Sequence, residues 1–375
     1  MRLISVLCLL MVAPALSAQE ALPKRPKLPR DADTNDARAY ANAVRIDARD
    51  FSTTPWDKLH DAYYWAARLE PNVPEYYYAR YVALLNRQPD QWYFEWINGA
   101  EYVMKSKTAK LIDSLYADAV QRAPFARFDL PCRDPGLTAQ IKDPLTAGIW
   151  HYRRDCFQFA VQKLREALAA DSSLVLTRLT LARALFFTQQ YRDAAVEIQV
   201  VLDSLRARDQ KYLGQWYNSK EFLERSLALA LLRARDIPGA RAALGRALTE
   251  DLSYYPAHAT LAQIAMDQGQ IPMALQEAEL AVGLEENDGV LRYDYGVLLF
   301  RSGKIAEAEE QFKKAAELEP YWAEARRQLA VTLDRQDKRD EAIAAYEAFL
   351  ARAPKRENVR IKEAQDRIAA LRPGS

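Results

Sequence analysis

Histidine and cysteine are scarce in this chain of 375 residues, with three of each, and glycine is thin at 12. The histidines, His60, His151 and His258, never fall three or four residues apart, and there is no HExxH or Cys-x-x-Cys, so no metal site is expected. No glycine-rich nucleotide fingerprint and no G-x-S-x-G elbow occurs. Ser302-Gly303-Lys304 looks superficially like a phosphate loop, but it lacks both the preceding glycine and the following Ser or Thr. Excess charge is missing too: 52 Lys and Arg stand against 51 Asp and Glu, which argues against nucleic acid as a partner. No cofactor, no catalytic residue and no enzymatic activity are expected from these residues.

Beyond the first residues, no apolar run approaches the roughly 18 residues of a membrane span. The start itself combines Arg2, an apolar stretch from Leu3 to about Pro14 and small residues at Ser17 and Ala18. Residues 1–18 therefore read as a cleavable signal peptide, which predicts a periplasmic or secreted chain with no stable membrane insertion. Residues 19–36 follow as a linker in which prolines alternate with Lys24, Arg25, Lys27 and Arg30, predicting an extended, solvated segment.

What the chain does have is a period. Ala160, Ala194, Ala240, Ala274, Ala308 and Ala342 are separated by 34 residues, except for one interval of 46, which is 34 plus an insertion of 12. Small residues at fixed phase in such a period are the mark of stacked helical hairpins, each burying its apolar face against its neighbours. In the unit from Gly289 to Trp322, one helix presents Tyr295, Gly296 and Leu299, Ser302-Gly303 breaks the chain, and a second helix presents Ala308, Phe312 and Ala315. The units from Ala323, Tyr255, Glu221 and Val175 repeat the pattern, with Asp337 standing where the turn glycine is usual, and a less regular one surrounds Ala160.

Pattern and spacing resemble the tetratricopeptide repeat (TPR), which implies an all-α, right-handed superhelical solenoid of stacked hairpins. The expected organisation is 37–138, aromatic-rich divergent repeats with an insertion; 139–208, TPR-like repeats; 209–220, an insertion; 221–356, four regular repeats; and 357–375, a polar capping helix and tail. By the same resemblance, the first helices line a concave groove that binds a peptide or a helix of a protein partner. The groove positions of this chain include Arg225, Gln263, Tyr293, Phe300 and Arg327. Arg225, Tyr293 and Arg327 are the expected anchors, because arginine and tyrosine are enriched at interface hot spots. The carboxylate clamp that some family members build from a lysine and an asparagine is not reproduced, since Arg225 goes with Leu229 and Arg327 with Val331. The expectation is a non-enzymatic scaffold whose partner and oligomeric state are unspecified.

A second reading uses the aromatics of the amino-terminal third. Those from Tyr76 to Tyr81 are expected to fill a core, whereas Trp92, Tyr93 and Trp96 sit in the insertion and could stack on a glycan or small molecule. Removal of the signal leaves two cysteines, Cys132 and Cys156, on segments expected to be accessible. An even count in an exported chain predicts that they pair.

Overall fold

The structure, a computed structural model, describes residues 23–44, 55–86, 107–127, 141–153, 156–214 and 218–372. These residues form a right-handed solenoid of helical hairpins with no strand among them, which is the fold the 34-residue period predicts. The helices are α1 (Ala37–Ala41), α2 (Trp56–Leu69), α3 (Pro74–Asn86), α4 (Lys107–Arg122), α5 (Pro144–Arg153) and α6 (Phe157–Ala170). They continue as α7 (Val175–Phe187), α8 (Tyr191–Ala207), α9 (Lys220–Arg233), α10 (Ile237–Glu250), α11 (Tyr255–Asp267) and α12 (Ile271–Leu284). The series ends with α13 (Gly289–Arg301), α14 (Ile305–Leu318), α15 (Ala323–Asp334), α16 (Arg339–Leu350) and α17 (Asn358–Leu371).

From α5 to α16 successive helices pack as hairpins, each also touching the next unit. The alanines that carry the period, Ala160, Ala194, Ala240, Ala274, Ala308 and Ala342, are all fully buried. A methyl group is what allows two backbones to approach at those levels. The turn inside each of the five hairpins from α7 to α16 holds one residue in the left-handed region. Gln189, Arg235, Gly269, Gly303 and Asp337 take φ of 63°, 64°, 71°, 83° and 57°. Asp337 fills the glycine position because aspartate tolerates this conformation better than most side chains do.

Helix starts follow local chemistry. Val290 and Leu291 donate their backbone N–H groups to the Asp288 carboxylate, and Gly239 donates to Asp236, while Pro238 follows the second cap. In the 209–220 insertion, Tyr212 and Ser219 form a short antiparallel bridge that turns the chain into α9. The α17 helix lays Ala364, Ile368 and Leu371 on the cluster containing Tyr346 and Phe349, leaving Val359 exposed.

Two features depart from the sequence expectations. The proline-rich linker is not simply solvated, because Leu28 packs on the core around Trp65, and the Trp65 indole N–H donates to the Pro23 carbonyl at 2.9 Å. Cys156 is buried at 2% exposure, just ahead of α6, rather than on an accessible turn. Cys132, the signal segment and Trp92, Tyr93 and Trp96 lie outside the described residues.

Candidate functional site

The first helices of the repeats, α7, α9, α11, α13 and α15, carry the expected groove positions, and much of this surface is already engaged by the chain itself. Arg225 on α9 is buried; its guanidinium donates to the Gln121 carbonyl at 2.6 Å, the Arg122 carbonyl at 3.2 Å and the Thr260 hydroxyl at 3.2 Å. Those two carbonyls are the free C-terminal end of α4, where a cation meets the negative end of the helix dipole. One helix further along, Arg122 reaches Asp288 at 3.7 Å while lying over the Tyr77 ring at 4.3 Å. Phe125 stacks on Phe186 of α7 with ring centroids 3.7 Å apart. The predicted anchor Arg225 is thus spent on the chain's own amino-terminal helices.

Tyr293 and Arg327 share a different acceptor. Tyr293 donates to Glu324 at 3.2 Å, and Arg327 donates to both oxygens of that carboxylate at 3.0 and 2.7 Å, with Gln328 and Arg360 adding bonds at 3.1 and 3.2 Å. Burial works to raise the Glu324 carboxyl, but its Arg327 hydrogen bond and charge, with Arg360 and Gln328, carry it below its ordinary value. This network ties α13, α15 and α17 together, so both residues hold repeats in place.

The remaining two groove residues differ from these in having no bond to another helix, although Phe300 packs beside Leu299, Ala308 and Phe312. Gln263 is exposed and donates to Asp267 at 2.7 Å, and Phe300 is half-buried with the Arg335 guanidinium 5.3 Å from its ring centre. Among α11, α12 and α13 lies a small open cleft of ≈ 100 Å³ lined by Ala262, Gln263, Met266, Ala278, Ala281 and Val297. Asp294 lines it. Water reaches this carboxylate, yet the crowded walls, with the charge of Asp288 second, push its pKa up to about 7.

A raised acid opposes folding once ionised, so the penalty is present above about pH 7 and is relieved as the pH falls toward the ordinary carboxylate range. Asp294→Asn is therefore expected to raise stability above pH 7, by on the order of 1 kcal/mol after allowance for water access, and to change little near pH 4. Urea denaturation of both forms across that range checks this; a gain that grows toward acid has the wrong sign.

Among the described residues no three His, Cys, Asp or Glu side chains are grouped to hold a metal ion, and no helix is long and apolar enough to cross a membrane. His258 is buried, with Nδ1 2.7 Å from Glu277 and Nε2 3.4 Å from the Leu252 carbonyl. Both ring nitrogens face internal partners, which makes it a packing residue of α11. Of the tyrosines from Tyr76 to Tyr81, Tyr78 and Tyr81 are half-buried and pack with Tyr116, ring centroids 4.9–6.4 Å apart.

These hairpins define a class, the stacked helical-repeat folds, in which each unit buries its apolar face against its neighbours. Residues 291–321, spanning most of α13, α14 and the entry to α15, match the family model described as tetratricopeptide repeat. It is 34% identical over 99 residues to an uncharacterized protein of Haemophilus influenzae, a match covering 26% of this chain and 55% of that protein. The chain thus spans about half the length of that relative. In fold it is similar to the C-terminal part of a TPR repeat-containing protein from Cytophaga hutchinsonii, at 16% identity and TM-score 0.48, over 62% of this chain and 96% of that one. It is also similar to YrrB, described as a TPR protein with an unusual peptide-binding site, at 17% identity and TM-score 0.42, over 54% and 97% of the two chains.

Proposed function

We propose that this chain is a non-enzymatic adaptor of the bacterial cell envelope, exported by residues 1–18, which binds an extended peptide or a helix of a partner protein on its concave face. The observation that carries the reading is the division of that face. Arg225, Tyr293 and Arg327 are committed to internal bonds, whereas Gln263, at the cleft beside α11 and α13, is exposed, and Phe300 is only half-buried. A cleft with an apolar floor and a few polar groups at its wall suits a side chain of an extended segment. Export is supported by the character of the first residues, and a Cys132–Cys156 bridge would accord with it.

The test is chemical crosslinking in intact cells, followed by purification and mass spectrometry of the native chain beside a Gln263→Ala/Phe300→Ala variant. One dominant envelope protein, captured by the native chain and lost in the variant, supports an adaptor using the open cleft. A cytoplasmic location of the chain, or no enriched protein, overturns the reading. For the bridge, closing a loop of about 25 residues stabilises by about 3 kcal/mol in the chain-entropy model. Denatured, unreduced mature protein is expected to show no reactive thiol; two would mean that Cys132 and Cys156 are not paired.

A further inference from the structure

The unit formed by α1 to α4 is fastened to the solenoid by two unlike attachments. At the α4 end the attachment is apolar: Val120 belongs to the main core that runs on to Ile264, Tyr116 and Phe125 pack against it, and Phe125 stacks on Phe186. The α1–α2 end is different, since its contacts are charges and ring faces. Arg356, in the turn before α17, donates to Asp36 at 3.1 Å and also pairs with Glu70. The Lys355 backbone N–H donates to Asp33 at 2.5 Å, and the Asn35 side chain donates to the Ala351 carbonyl at 3.2 Å. Trp65 meets Tyr321 edge-on at 5.4 Å, with Arg25 4.4 Å from the first ring and 5.5 Å from the second. Arg352 lies 5.0 Å from the Tyr321 ring, and Arg68 pairs with Glu319 at 3.4 Å.

Such contacts are individually weak. Half-exposed ion pairs contribute about 0–1 kcal/mol and fade with salt, while buried apolar contacts do not. The balance here is poorer still. Burial holds the Glu70 and Glu319 carboxyls above their ordinary value even with Arg356 and Arg68 beside them, and the buried Arg68 Nε has no hydrogen-bond acceptor.

We propose that the surface formed by Tyr321, Arg352, Lys355 and Arg356 is a docking site for an acidic segment built around an aromatic ring, and that this chain's own α1–α2 unit occupies it as a releasable clasp hinged at α4. Complementarity names the occupant: Asp33, Asp36 and Glu70 face the basic turn, and Trp65 meets the tyrosine. A partner that uses this surface must displace the clasp, and must carry the same chemistry. The clasp itself is a property of the free chain, so it stands or falls apart from the adaptor reading.

Hydroxyl-radical footprinting of the full chain, with residue-level mass spectrometry at 0.1 and 1 M NaCl, tests it. Screening shortens from about 10 Å to about 3 Å across that range. Oxidation of Trp65 and Tyr321 is expected to rise at least about threefold, with Phe125 and Phe186 unchanged, because the apolar end is insensitive to screening. An Arg68→Ala/Arg356→Ala variant is expected to reproduce the change at low salt, with Arg68→Lys/Arg356→Lys partly restoring protection. If the alanine variant loses helicity, the salt arm on the native chain decides. Constant labelling of Trp65 and Tyr321 would show a fixed brace and overturn the proposal. A rise at all four rings would show whole-unit release and overturn the hinge.

Discussion

Phe312→Ala is expected to lower the stability of the carboxy-terminal repeats by about 4 kcal/mol, the usual cost of deleting a large ring from a close-packed site. Phe312 is 1% exposed and is surrounded by Leu299, Ala308, Tyr293, Val297 and Leu329. Its ring lies over Gly296, where even an added Cβ would come within 2.8 Å of it, so the pocket is shaped around this side chain. Because each repeat is stabilised by its neighbours, the loss should spread to α15, α16 and α17 before it reaches α7. Hydrogen exchange resolved by segment, run with urea denaturation, checks both points. Uniform loss along the chain, or a change below about 1 kcal/mol, would show that the repeats do not depend on this packing.

Glu224→Ala is expected to cost about 3 kcal/mol for a different reason. The carboxylate is fully buried, and it accepts two bonds from Arg246 at 3.0 and 2.9 Å and one from Arg206. It therefore joins α8, α9 and α10 across the 209–220 insertion. Removing a buried acid strips two guanidinium groups of their acceptor and leaves a cavity between three helices. Glu224→Gln keeps the volume and much of the hydrogen bonding, so about half the loss is expected, and the pair of variants separates charge from packing. Equal midpoints for Glu224→Ala and the native chain in urea would mean that the arginines find water at no cost.

The period made the hairpins legible because the same demand for a small residue recurs at each helix crossing, and Ala194 or Ala308 answers it with local sequence alone. The left-handed turn was legible at Gly269 and Gly303. At Gln189 and Arg235 the residue type gives no sign of it, since tertiary closure of the hairpin imposes the conformation. Arg225 shows where sequence reasoning stopped. Its groove position was readable from spacing, but its acceptors, the Gln121 and Arg122 carbonyls, lie 104 and 103 residues away and carry no residue-specific signal. Tyr293 and Arg327 likewise read as free anchors in the sequence, but the Glu324 carboxylate on α15 accepts from both. The exposure assigned to Cys156 failed because a turn between helices is accessible only when nothing packs above it.

Stacked repeats ordinarily behave as a line, in which a disturbance travels from unit to unit and the two extremities have no knowledge of each other. Here Asp36 and Glu70 meet Arg356 across some 300 residues of sequence, while Phe125 rests on α7 at the other extremity. The line is closed into a circuit. A strain introduced at α17 has two routes to α7, one through every intervening hairpin and a shorter one through the amino-terminal helices, so breaking the short route should restore the one-dimensional behaviour of an open array.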